Sequence, residues 1–178
     1  MTTVTIPTLT TDRLTLRPYR RADFEAYAAM AASPRAIYMD GPMDRAAAWS
    51  MFTGDIACWV LQGYGSLTIE VNGRQAGTVG LSFPPHFPEP ECGWVLHDGF
   101  EGQGYATEAA AALLAHAFAT TDLQTAVSYI SHDNIASIRV AERLGAQRDD
   151  SADRPDDCLV YRHLPQVAKS LESTRASA

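Results

Sequence analysis

Residues 99 to 118 read GFEGQGYATEAAAALLAHAF. Two glycines, Gly102 and Gly104, stand one residue apart against the front of a helical stretch with almost no polar side chains. Few features restrict a fold so much. The helix is apolar nearly all round (Ala109 to Ala112, Leu113, Leu114, Phe118), so it calls for packing on both sides. A strand-like run, ECGWVL at 91 to 96, leads straight into the glycines. A strand that passes through glycines into a helix leaves several N–H groups unpaired, and the macrodipole adds partial positive charge there. Such a helix start suits a phosphate. Gly102 and Gly104 keep side chains away from the contact, Ala106 keeps the next position small, and the rigid helix supports the loop. The plainer alternative is a loop that only turns a corner.

Three phosphate motifs compete for this loop. A Walker loop requires Lys after its last glycine, and none follows here. The dinucleotide fingerprint G-x-G-x-x-G fails at its third glycine, where GQGYAT has Thr107, and it expects an early βαβ unit. The pyrophosphate loop of coenzyme A-dependent acetyltransferases remains.

The rest of the chain reads as mixed α/β. DRLTLRPY (12 to 19) alternates like a half-buried strand, and RADFEAYAAMAA has helical spacing that stops at Ser33-Pro34. Asp44 to Gln62 is a second helical region, with Trp49, Phe52, Ile56 and Trp59 on one stripe and Gly54 weakening its middle. SLTIEV and QAGTVGLSF flank Asn72-Gly73, a hairpin signal because both turn positions need positive φ. PPHFPEP (84 to 90) is a proline-rich loop. LQTAVSYI, then NIASIRVAERL closed by Gly145, then CLVYRHL complete a β-loop-helix-β-helix-β half.

At 178 residues the chain is long enough for one domain with a substantial core. No stretch approaches the ~20 apolar residues that span a bilayer, and the N-terminus lacks the pattern of a secretory signal. Cys58, Cys92 and Cys158 form no CxxC pair, and the five histidines form no ligand cluster. A cytoplasmic protein without a metal site is therefore expected. The net charge of -7 argues against nucleic acid as the main partner and suits a cationic one, although acidic surfaces commonly serve solubility alone.

Four stretches, taken in order, resemble the GNAT acetyltransferases, in particular their RimJ/RimL-type branch: TDRLTLRPYRRADF, ECGWVLHDGFEGQGYATEA, NIASIRVAERLGA and the closing strand. The resemblance runs from Thr10 to Leu164, and the combination is far more specific than any single motif. It implies one acetyltransferase domain over residues 1–165, with 166–178 as a flexible tail. The implied fold is a twisted, mostly antiparallel sheet, split between two central strands and flanked by helices, with acetyl-CoA in the split. By this similarity, the strand at Trp94, Val95, Leu96 and His97 offers main-chain groups to the pantetheine. Gly102, Gln103, Gly104, Tyr105, Ala106 and Thr107 hold the pyrophosphate, Asn134 bonds the pantetheine arm, and Ser137 sits near the thioester sulfur. Two positions depart from the family pattern. Glu101 stands where Gln or Arg is frequent, and Ala141 replaces a frequent Tyr seven residues after the Asn, leaving Ser137 as the substitute acid.

The implied reaction is acetyl transfer to a primary amine, on a protein N-terminus or a small molecule, by direct attack in a ternary complex. The amine must lose a proton to attack, and Glu91, at the start of the strand entering the loop, is the candidate base; the alternative is a solvated strand-end carboxylate. A main-chain N–H near Val95 or Leu96 is a candidate oxyanion donor. His97 reads as structural or cofactor-side, and Cys92 as a small buried residue. Asp133-Asn134 is equally a helix N-cap signal, and Arg139 reads as a solvated helix face. Trp49, Phe52 and Trp59 read as core that also walls the acceptor groove, and His86 and Phe87 as surface loop. The sequence leaves the oligomeric state open, with a homodimer as one alternative because homodimers are common among symmetric assemblies. Two other functions compete: a non-catalytic acyl-CoA sensor of the same fold, and a protein holding another nucleotide in the same loop.

Overall fold

The computed structural model describes residues 4–165, so the tail at 166–178 lies outside the described residues. Two short strands open the chain, β1 (Leu9–Thr10) and β2 (Thr15–Arg17). The alternation from Asp12 to Tyr19 promises a longer strand than this. Pro18 has no N–H to continue the ladder, and Asp12 and Arg13 form the bend between β1 and β2. A 3-10 turn (Arg21–Asp23) then leads into helix α1 (Phe24–Ala31), and a second turn (Pro34–Tyr38) is capped by the Ser33 hydroxyl. Helix α2 (Arg45–Leu61) starts where the Asp44 carboxylate accepts from Ala47 N at 2.8 Å, and it runs unbroken through the exposed Gly54.

Strands β3 (Ser66–Val71) and β4 (Arg74–Ser82) form the expected hairpin, with Asn72 at φ 49° and Gly73 at φ 74°. After the proline loop come β5 (Glu91–Leu96), α3 (Tyr105–Thr120), β6 (Ala126–Ile130), α4 (Ile135–Arg143), β7 (Gln147–Arg148) and β8 (Leu159–His163). The eight strands make one sheet in the order β1-β2-β3-β4-β5-β6-β8-β7. All neighbours are antiparallel except β5 and β6, which meet as a single parallel pair, Glu91 opposite Val127. Beyond that pair the two strands part, as the resemblance implies.

Helices cover both faces of the sheet. Cys92, Trp94 and Leu96 of β5 turn toward α3, where Ala109, Ala110, Leu113, Leu114 and Ala117 pack on Leu67, Val79 and Leu81. Val95 turns the other way, toward the cluster that α1 and α2 build from Phe24, Tyr27, Ala31, Ala48 and Phe52. Helix α2 lies so close to the sheet that a Cβ on Gly65 would meet the Asp55 carbonyl at 2.9 Å and the Trp59 ring closer still. Burial around α3 is less even than its composition suggests. Ala111, Ala112 and Phe118 are only partly buried, while a carboxylate, Glu108, is 3% exposed.

A polar pair closes the sheet where β5 and β6 separate. The buried Ser128 hydroxyl donates to the Cys92 carbonyl at 2.6 Å and lies 2.9 Å from His163 Nε2. Since the hydroxyl proton is spent on Cys92, Nε2 must carry the proton of that contact, which leaves Nδ1 as a buried acceptor without a partner. Burial drives the His163 pKa down to about 4, so the folded state keeps the ring neutral. The folded pKa lies below the ordinary value. Its contribution is therefore complete above about pH 6.5 and is lost as pH falls toward 4, amounting to about 3 kcal/mol. Between those pH values the Tm of the wild type should fall more steeply than that of His163→Gln, as read by thermal unfolding across the range.

Candidate active site

The loop between β5 and α3 is shaped by glycines in the left-handed region, Gly102 at φ 71° and Gly104 at φ 81°. Gly104 is the N-cap of α3, and no side chain caps that end. The amides of the first turn, Tyr105 to Thr107, are thus left for an outside acceptor. Thr107 adds a second indication, because its hydroxyl is buried and has no hydrogen-bond partner. The residues present fit an anion at this helix start. Gly102, Gln103 and Gly104 lie exposed ahead of it, and Tyr105 and Ala106 form the first helical positions.

Two arginines absent from the sequence-level candidates brace the loop. The Arg13 guanidinium donates to the Gln103 carbonyl at 2.8 Å, to Glu108 at 2.7 Å, and stacks over the Tyr105 ring at 4.9 Å. Glu108 also accepts from Thr11 Oγ1 (2.6 Å) and Arg13 N (3.1 Å), and these donors hold its carboxyl below the usual range although burial acts the other way. On the far side, Arg35 pairs with Asp98 and Glu101. The Glu101 carboxylate also accepts from Gly99 N at 2.7 Å, so its charge is turned away from the helix start. The TDR and ATEA segments of the sequence carry the Arg13–Glu108 pair, but nothing in one chain marks two charges 95 residues apart as partners.

Strand β5 forms the wall of the opening. The Cys92 carbonyl faces β6, so by alternation the main-chain groups of Trp94 and Leu96 face the same side. Val95 pairs with Thr78 of β4 and its carbonyl lies against Gly77, while the His97 N–H donates to the Ala76 carbonyl at 2.8 Å. Of the four expected main-chain positions, the strand geometry therefore turns Trp94 and Leu96 toward the split and Val95 and His97 away from it. The His97 ring points to the α1 side, and burial and Arg35 lower its pKa.

Because β5 and β6 are parallel, the loops that follow them lie at the same end of the sheet. This brings the turn before α4 beside the glycine loop. The Asn134 side chain accepts from Ser137 N at 3.1 Å, which realises the helix-cap reading and ties the two residues together. The remaining polar group of Asn134 is its amide NH2. Ser137 lies one turn along α4, which runs back toward the closed end of the split. Arg139 is exposed.

Glu91 sits at that closed end, on the α1–α2 side of β5. Its carboxyl oxygens lie beside Gly93, 3.3 Å from where a Cβ would stand. Burial, and then the charge of Asp55 on α2, push its pKa up to about 8. Glu91 is half-buried at this strand end. Phe52 and Trp59 are buried in the core, whereas Trp49, 37% exposed, lines a 430 Å³ recess with Arg21, Phe24, Arg45 and Ala46. Phe87 packs edge-on against Tyr129 at 5.2 Å, so the proline loop is anchored there.

A sequence profile of the acetyltransferase (GNAT) domain matches residues 13–147. The chain belongs to the GNAT acetyltransferase family. An acetyltransferase from Agrobacterium tumefaciens is 47% identical over 92% of this chain and 97% of its own, with a TM-score of 0.86. RimL, a ribosomal-protein α-N-acetyltransferase solved with coenzyme A, shares the fold at a TM-score of 0.73, 20% identity and coverage of 90% and 99%. A segment of 59 residues, 33% of this chain, is 36% identical to the Bacillus subtilis N-acetyltransferase YnaD and spans 35% of that protein. Among the described residues of this GNAT chain, no cluster of His, Cys, Asp and Glu could hold a metal ion. No described helix is long and apolar enough to cross a membrane.

The clamp under the GNAT loop can be tested directly. Glu108→Gln keeps the shape but removes the charge that Arg13 and Thr11 address. It should lower unfolding stability by about 2 kcal/mol in a denaturant titration.

Proposed function

We propose that this chain moves the acetyl group of acetyl-CoA to a primary amine, on a protein N-terminus or a small molecule, in a cytoplasmic setting and within one domain spanning residues 1–165. The observation that carries the reading is the pair of opposite functions at the two ends of β5. One end opens on an uncapped helix start with an unsatisfied Thr107 hydroxyl. The other holds a carboxyl, Glu91, whose raised pKa suits a base that must discharge an ammonium group.

In this reading, residues 102 to 107 bind the pyrophosphate, and Trp94, Leu96 and the Asn134 amide hold the pantetheine arm along the parted strand edge. Glu91 takes one proton from the incoming ammonium. The neutral nitrogen attacks the thioester carbonyl, and the Trp94 N–H, the split-facing main-chain donor of β5 nearest the Glu91 carboxyl, meets the oxyanion. The C–N bond is made and the C–S bond broken. Ser137 gives a proton to the departing thiolate, and the second proton shed by nitrogen restores Ser137. The products are an amide, a free thiol and one proton passed through Glu91 to solvent. Binding and orientation supply much of the rate, since both reactants are held against one strand.

Acetyl-CoA-dependent thiol release, followed across peptides, amino acids, polyamines and aminoglycosides, tests the reading. Glu91→Gln should cut kcat about 100-fold or more while coenzyme A still raises the Tm. Only the ionised carboxyl accepts a proton, so wild-type kcat/KM should climb with pH along an acid limb near 8. Unchanged turnover in Glu91→Gln would remove the carboxylate from the mechanism.

A further inference from the structure

One carboxyl near Glu91 has no part in the chemistry described above. Asp55 lies in the middle of α2, within a helix stripe that otherwise reads as apolar core. It is half-buried, and its side chain accepts from the Tyr19 hydroxyl at 3.0 Å. The Ser66 hydroxyl of β3 also favours its ionised form. Tyr27 of α1 stands close enough to feel the same charge. Its hydroxyl is buried, the residue is 1% exposed, and that hydroxyl has no hydrogen-bond partner. A buried phenol with an unused hydroxyl beside a carboxylate marks a place where a polar group is missing.

Two strand positions beneath this group carry no side chain of their own. Register places Ser66 opposite Gly80, and Gly80 opposite Gly93, so a row of two glycines crosses β4 and β5 on the face that α2 covers. A Cβ on Gly80 would overlap the Ser66 hydroxyl, and one on Gly93 would press the Glu91 carboxyl at 3.3 Å. Ser66 thus lies over the Gly80 end of this row, beside the Asp55–Tyr19 pair, and the Glu91 carboxyl lies beside its Gly93 end. No donor bonds the Glu91 carboxyl among the described residues.

We propose that Asp55 anchors the acceptor, holding its ammonium group over the Gly80–Gly93 floor so that one of its N–H bonds points at Glu91, and that the acceptor class is an alkylammonium rather than a neutral amine. This rests on the reading of Glu91 as the base. Asp55 is a binding and positioning residue: it holds the nitrogen but takes no proton from it. An ammonium group has three donors. Asp55, Glu91 and the Tyr27 hydroxyl, acting as acceptor, offer three acceptors on different elements.

The electrostatics fit the placement. Asp55 itself is pushed up to about 6 by burial, so it is ionised at physiological pH and its charge helps raise Glu91. The groups that feel the charge of the two carboxyls are Tyr19 after β2, Tyr27 on α1, Cys58 on α2, Cys92 on β5 and Tyr129 on β6. All are neutral at that pH, and neither carboxyl is shifted by an Arg or Lys. Two acids without a cation are relieved by one that arrives with the substrate.

The test compares a charged acceptor from the panel with the alkoxyamine of the same chain length, which is neutral at physiological pH. Asp55→Asn keeps the Tyr19 contact and removes the charge. It should raise KM for the alkylammonium about tenfold while leaving KM for the alkoxyamine and the affinity for coenzyme A unchanged. It should also move the acid limb of kcat/KM to lower pH, because Glu91 loses a negative neighbour. Asp55→Glu should recover part of the loss. In the dead-end complex with coenzyme A, the alkylammonium should raise the Tm of the wild type and not that of Asp55→Asn. Equal losses for the two acceptors in Asp55→Asn with an unmoved acid limb, or equal stabilisation of both proteins by the ammonium, would overturn the anchor and leave the base in place. Full turnover in Glu91→Gln with charge-selective binding at Asp55 would overturn the base and leave the anchor.

Discussion

The structure turns on one place where a sheet declines to continue. Strands β5 and β6 share a single parallel pair and then separate, so the edge of β5 beyond Cys92 pairs with no strand among the described residues. Exposed main-chain groups of that kind are costly unless something else bonds them. Here the cost is confined by the Ser128 contact to the Cys92 carbonyl, which ends the pairing cleanly and keeps the seam shut below it. Because β5 and β6 are the only parallel neighbours among the described strands, the loops that follow them sit at one end, and the helix starts behind both face the same opening. The position of every candidate residue follows from that arrangement.

Charges are used as fasteners around this opening. Arg17 is buried and makes a two-point contact with Asp23 at 2.8 and 2.9 Å, a bond to Glu70 at 2.7 Å, and so joins β2, β3 and the entry to α1. Buried pairs of this sort add little net stability over apolar substitutes, but they are unforgiving of misplacement and therefore fix register. Arg13 does the same between the first bend and α3, and Arg162 between β8, Glu89 of the proline loop and Asp149. Each fastener joins segments that belong to different elements of the fold.

Much of the fold was legible because local physics wrote it. The Asn72-Gly73 turn, the Asp44 cap, the glycine stop at Gly145 and the α3 start all follow from conformational preferences that act within a few residues. The strand from Asp12 to Tyr19 was misjudged in length because pairing depends on a partner edge, and no local signal states where that edge ends. At the site, the glycine loop and Glu91 could be found from motif and position. Arg13, Glu108, Arg35 and Asp55 could not: each acts through a partner that the sequence places tens of residues away. Asp55 was further hidden by its neighbours, since an acid between Phe52 and Trp59 reads as the solvent edge of an amphipathic helix. Among the main-chain candidates, alternation alone separates Trp94 and Leu96 from Val95 and His97, and that alternation needs one known contact to set its phase.

Within a chain of net charge -7, the two ends of one strand offer different partners, main-chain N–H groups at one and carboxyls at the other. Six residues of β5 span about 20 Å. At one end stands the uncapped helix start, with Arg13 paired to Glu108 and Arg35 shared between Asp98 and Glu101. At the other stand Asp55 and Glu91, with no cation beside them. Water is a poor competitor for either end, because each set of groups is held in place by protein and does not have to reorient to meet its ligand. A carrier with phosphates at one end and a partner with an ammonium at the other would each be drawn to its own end of β5, and their reactive atoms would meet where the strands close. Such an arrangement orients both molecules before any specific contact to the acceptor's remaining groups is made. Selectivity among amines must then come from what lies outside the strand, in the recess beside Trp49 and the loops around it.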